Sequence, residues 1–170
     1  AKVSFVDIKR LTAALGPLED DDPLGVVRLW VEHSAGLAKL GTGELQWISS
    51  RLTHLGQSAQ PARARIISHI QTKYLGDVEL ARKTGLSPLY NLTLQLAKHM
   101  SPTTRDQWAK TLEEAFFASA SHRSRLVAAL KALGHAKEAK GIHRRWVMEG
   151  DSWKHLSAED YWWLLRGLTQ

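Results

Sequence analysis

An all-α fold, a compact globular array of about nine or ten short helices joined by short connections, is what this sequence predicts, on three observations. Leu-Gly dipeptides close apolar-periodic stretches at Leu15-Gly16, Leu40-Gly41, Leu55-Gly56, Leu75-Gly76 and Leu133-Gly134, and glycine readily takes the left-handed conformation that ends a helix. Capping side chains stand before proline at Asp22-Pro23, Ser87-Pro88 and Ser101-Pro102, where the missing proline N–H is harmless in a first turn. Alternation with period 2, the mark of a half-buried strand, is scarce. The 170 residues suit a single helical domain, residues 1–170, that buries a core without disulfides.

Taken in order, the first helix follows the cap Ser4 and stops at Leu15-Gly16. The second opens at Asp22-Pro23, where the run Glu19 to Asp22 complements the positive end of its dipole. Thr42 caps a third, which stops at Leu55-Gly56. In the helix after Pro61, Ile66, Ile70 and Tyr74 recur every fourth residue with Ile67 beside them, while Arg65, His69 and Lys73 form a parallel flank. Asp77 caps the next helix, and Ser87-Pro88 opens one that runs to Met100. Its Leu92, Leu94 and Leu96 alternate briefly, but the strong cap and the length make it helix. After Ser101 the inward face is Trp108, Leu112, Ala115 and Phe116. Phe117, about 100° further round, needs different company. Ser121 starts the helix that Leu133-Gly134 ends, the stretch His135 to Met148 is another, and Ser157 caps the last.

Composition excludes several function classes. With no cysteine there is no disulfide framework, no thiolate nucleophile and no cysteine-ligated metal, which fits a reducing, cytoplasmic compartment. No apolar run approaches the roughly 20 residues that span a bilayer, and Ala1 to Phe5 lacks a signal-like start, so no membrane association is expected. Gly-x-Ser-x-Gly, phosphate-loop, Gly-x-Gly-x-x-Gly and His-Glu-x-x-His motifs are all missing. The eight histidines are scattered one per helix or junction, without the close pairing of a zinc site. The reading is therefore non-enzymatic, with no cofactor and no metal.

Charge is unevenly placed. Residues 1–60 carry 6 Lys and Arg against 7 Asp and Glu, residues 61–145 carry 15 against 6, and residues 146–170 carry 2 against 4. A basic middle segment attracts phosphate backbones or acidic partners, although a solubilising surface has the same composition. Within it, Lys137, Lys140 and Arg144 fall within about 60° of one another on a helix whose opposite side carries Ala139, Ile142 and Trp146. Arg65, Lys73, Arg82, Lys83, Arg123, Arg125 and Arg145 add charge. Cations repeated along one face are what a sequence-tolerant phosphate contact needs.

The segment Asp77 to Pro88 has Ala81 and, four residues on, Gly85. That spacing resembles the first helix and turn of helix-turn-helix DNA-binding proteins, and the resemblance covers about twelve residues. It implies a following recognition helix whose polar side chains are chiefly Asn91, Thr93 and Gln95.

Tryptophan is abundant, at Trp30, Trp47, Trp108, Trp146, Trp153, Trp162 and Trp163. In a C-terminal helix Trp162 and Trp163 cannot both join the face of Tyr161, Leu164, Leu165 and Leu168, so one indole needs a partner chain, a second layer or a stacked base. The function expected is nucleic-acid binding, DNA or RNA, mainly through the phosphate backbone, in a chain that would suit a small subunit of a larger nucleoprotein complex. Two alternatives stay open. One is a protein–protein adaptor or regulator working through the Trp-rich C-terminal helix. The other is a sequence-specific helix-turn-helix protein.

Overall fold

Side-chain caps account for where several helices begin in the computed structural model, which describes residues 3–14, 25–53, 55–117, 122–149, 158 and 162. Ser4 Oγ accepts the Asp7 N–H at 3.2 Å while Asp7 Oδ2 accepts the Ser4 N–H at 2.9 Å, a reciprocal cap that starts α1 (Phe5–Ala14). The Ser4 hydroxyl, donating to Asp7 Oδ2 at 2.7 Å, and then the Ser4 N–H hold the Asp7 carboxyl below its ordinary pKa. Asp77 Oδ1 accepts the Leu80 N–H at 2.8 Å at the head of α5 (Val78–Thr84). Ser101 Oγ accepts the Thr104 N–H at 3.1 Å, with Pro102 in the first position of α7 (Pro102–Phe116). The others are α2 (Val26–His33), α3 (Thr42–Leu52), α4 (Gln60–Tyr74), α6 (Leu86–Leu96), α8 (Arg123–Ala132) and α9 (Ala136–Glu149). Short 3-10 segments lie at Ala35–Lys39, Gly56–Ala59 and Ala97–His99. Among the described residues there are nine α-helices and no strand, so the all-α array is what forms.

Several expected boundaries differ: α3 ends at Leu52 rather than at Leu55-Gly56, where Gly56 instead opens a 3-10 segment, and α6 ends at Leu96, the 3-10 turn Ala97–His99 covering most of the rest of the way to Met100. Gly41, read as a stop, has φ −83° and is instead the residue before α3. Its N–H donates to Glu44 Oε2 at 2.7 Å, which puts Thr42 inside the helix rather than at its cap. Ser87 does not cap α6, because Gly85, at φ +87°, ends α5 and precedes Leu86 in a single residue. Pro88 then stands within the first turn, where it needs no N–H. The stops at Leu75-Gly76 and Leu133-Gly134 form as expected, with positive φ after α4 and α8. The features expected at Leu15-Gly16, Asp22-Pro23, Ser121 and Ser157 lie outside the described residues.

The chain divides into two compact units, residues 1–73 and 74–170. In the first, Val27, Val31, Leu45, Ile48, Leu52, Ile66 and Ile70 are buried. Phe5 meets Trp30 at 6.0 Å and Trp47 edge-on at 5.6 Å, and the Trp30 indole donates to Val3 O at 3.0 Å. In the second, Leu86, Leu89, Leu92 and Leu96 of α6 are buried with Leu112, Leu126 and Trp108. Thr93 is also fully buried; its hydroxyl donates to Leu89 O and accepts the Trp108 indole N–H, both at 2.8 Å. Of the face expected on α7, Trp108, Leu112 and Phe116 are buried and Ala115 is half-buried.

Candidate functional site

The ten cations singled out from the sequence separate into two kinds. Arg65 donates to Glu32 O and, at 3.3 Å, to Ser34 O, the carbonyls at the end of α2. Lys73 Nζ donates to Leu40 O at 2.9 Å. Arg82 reaches the end of α7, donating to Glu114 O at 3.0 Å and Ala115 O at 3.2 Å, and pairs with Glu79. The last carbonyls of a helix lack intrahelical donors and carry the negative end of the dipole, so these cations complete the helices they touch. Arg125 donates to Ser87 Oγ at 2.5 Å. Arg145 pairs with Glu113 Oε1 at 2.6 Å and lies 4.5 Å above the Phe117 ring. Arg123 is only 4% exposed, so it is no part of an outer basic surface.

Sequence reading missed an eleventh member of this group. Arg63 is 3% exposed and donates to Leu52 O, to Gly56 O at 2.5 Å and to Thr53 O at 3.4 Å, closing the end of α3. Its position, in phase with Ile66, Ile67 and Ile70 on the buried stripe of α4, is the signal that points it inward.

Four cations remain. Lys83, Lys137, Lys140 and Arg144 are exposed and have no hydrogen-bond or ion-pair partner among the described residues. The last three lie on one side of α9, opposite Ala139 and Ile142, which are 0% and 1% exposed. The buried stripe fixes the rotation of the helix, and that rotation holds the basic rail in solvent.

The second unit also contains a cleft of about 620 Å³ between α7, α8 and α9, with Ala109, Leu130 and Phe117 in its walls. Its carboxylates have cationic or imidazole neighbours. His135 Nε2 lies 3.1 Å from Asp106 and its Nδ1 3.8 Å from Glu138, Lys110 is 3.9 Å from Glu114, and Arg145 holds Glu113. Among the described residues no group of His, Asp and Glu is placed to hold a metal ion.

No family model, curated protein or solved structure matches this chain. Its own geometry therefore has to carry the functional reading.

At the corner between α5 and α6, Ala81 is fully buried and Gly85 N–H donates to Ala81 O at 3.0 Å. The helical corner that the spacing implied is thus present. The second helix, however, points Thr93 into the core, leaves Asn91 and Gln95 half-buried, and exposes Leu94. That leaves little of α6 to enter a groove. Of the two indoles expected to offer a partner surface, Trp162 is 53% exposed and Trp163 lies outside the described residues. No helix among the described residues is long and apolar enough to cross a membrane.

Proposed function

We propose that this chain binds nucleic acid through the phosphate backbone, with the outer side of α9 as the contact. One observation carries the reading. Lys137, Lys140 and Arg144 are exposed, lie on one face and have no partner among the described residues, whereas most of the other cations in the basic middle segment have work inside the fold. At 1.5 Å per residue the rail is roughly 10 Å long, enough to meet consecutive phosphates of one strand. Backbone contacts of this kind neutralise charge without reading bases, so the expected binding is tolerant of sequence.

The test is binding of the full chain to single- and double-stranded oligonucleotides over a range of salt. The triple variant Lys137→Ala/Lys140→Ala/Arg144→Ala should make the slope of log affinity against log salt shallower by roughly 2.7 on duplex DNA, at about 0.9 for each phosphate that is no longer neutralised. Arg82→Ala and Arg125→Ala should leave that slope unchanged. A triple variant with wild-type slope and affinity would remove the rail from consideration.

A further inference from the structure

We infer that Gly141 is the seat of one phosphodiester group on the α9 rail, an inference that rests on the nucleic-acid reading above. A glycine in a helix interior costs about 0.5–1 kcal/mol relative to alanine, so its presence calls for a reason. The usual reasons are missing here. Gly141 is not among the residues with positive φ, and a Cβ built on it meets, beyond its chain neighbours and the backbone of its own helix, no atom within 4 Å. Neither a left-handed backbone nor the close approach of another element explains the absent side chain.

What surrounds it does. On a helical surface the residues that face one another stand at i±3 and i±4, and for Gly141 these are Lys137, Glu138, Arg144 and Arg145. Three of the four are cations. Arg145 is drawn aside by Glu113 and Phe117, which leaves Lys137 and Arg144 beside a patch of helix with no side chain on it, with Lys140 next along the rail. Gly43 makes the contrast. It too has open space where a Cβ would stand, but it lies in the first turn of α3, where a glycine disrupts less, and the neighbours it faces within that helix, Gln46 and Trp47, carry no charge.

A bare patch of helix flanked by lysine and arginine side chains suits a compact, oxygen-rich anion that lies close to the helix and draws those flexible donors onto it. A phosphodiester in a strand has that form, and its neighbours along the strand meet the rest of the rail. An anionic lipid surface is the poorer match. A helix that lies on a bilayer inserts an apolar face, whereas Ala139 and Ile142 of α9 are buried in the fold.

The experiment compares Gly141→Ala and Gly141→Leu with wild type and with the triple rail variant, in the full chain. The readouts are thermal melting, fluorescence anisotropy with a labelled duplex at several salt concentrations, and co-sedimentation with phosphatidylserine vesicles. Both glycine variants should melt no lower than wild type. Gly141→Leu should weaken duplex binding about tenfold, the equivalent of one good contact, and Gly141→Ala by less. The salt slope should shrink by no more than about 0.9, since all the cations remain. If Gly141→Leu binds like wild type while the triple variant does not, the seat is wrong and the rail stands. If the triple variant also binds like wild type, the nucleic-acid reading falls with it. Vesicle binding that depends on Gly141 in the absence of duplex binding would overturn the choice of ligand.

Discussion

The guanidinium of Arg145 lies 4.5 Å above the ring of Phe117, tying the end of α7 to α9. Phe117 follows Phe116 by one residue and so cannot share its buried face; a cation over its ring, held in place by Glu113 at 2.6 Å, is the company it finds. Arg145→Ala should therefore lower stability by about 1 kcal/mol, with roughly 0.5–1 from the ring contact and less from the half-exposed ion pair. It should leave the salt slope of nucleic-acid binding unchanged. Urea unfolding combined with a double-mutant cycle against Phe117→Leu measures the coupling, and a coupling near zero would show that the stacking contributes nothing.

Arg63 gives a larger effect. It is buried, burial pushes its pKa below the usual arginine value, and it supplies donors to three carbonyls at and beyond the end of α3. Arg63→Ala leaves those carbonyls without their donor and should cost about 2–3 kcal/mol, at the upper end for hydrogen bonds to a charged group. Arg63→Met keeps the apolar stem and tests the polar part alone. If Arg63→Met unfolds at the wild-type urea midpoint, the carbonyl contacts are not stabilising.

These two arginines also mark where the sequence is legible. Helix starts with a side-chain cap, such as Ser4, Asp77 and Ser101, depend on residues three positions apart and can be read locally. The apolar stripe of α4 is equally local, and Ile66, Ile70 and Tyr74 are buried as their spacing requires. The destination of a cation is not local. Arg65 reaches carbonyls 31 and 33 residues away and Arg82 reaches 32 and 33 residues away, and nothing in their neighbourhood of the chain says that a helix end lies there. Counting charge by segment therefore exaggerates the surface left for a partner. The α9 rail was legible because the same helical phase that buries Ala139 and Ile142 exposes Lys137, Lys140 and Arg144.

Thr93 and Trp108 form a buried polar pair whose removal is also measurable. Thr93→Val keeps the shape but leaves the Trp108 indole N–H, otherwise bonded at 2.8 Å, without an acceptor. The expected cost is about 1–3 kcal/mol, the penalty for orphaning a buried donor. Thr93→Ser retains the hydroxyl and should recover a good part of it. Thermal melts of the two variants against wild type make the comparison, and a Thr93→Val protein that melts with wild type would show that the hydrogen bond contributes nothing.

The last expectation concerns pH. His69 is half-buried on α4, its Nε2 is enclosed with no hydrogen-bond partner among the described residues, and both burial and the charge of Lys73 one turn away lower its pKa from the ordinary 6.5. The neutral imidazole is the form the fold accommodates. Below about pH 6.5 the unfolded chain takes up a proton at this position more readily than the folded chain does, so stability rises with pH there and is lost as pH falls. Above that value the contribution is fully present. Wild type should lose more stability between pH 7.5 and 5.5 than His69→Gln, which cannot titrate, while the other ionisable groups contribute alike to both proteins. Urea midpoints at the two pH values give the difference directly, and parallel losses in the two proteins would show that His69 carries no part of the acid sensitivity.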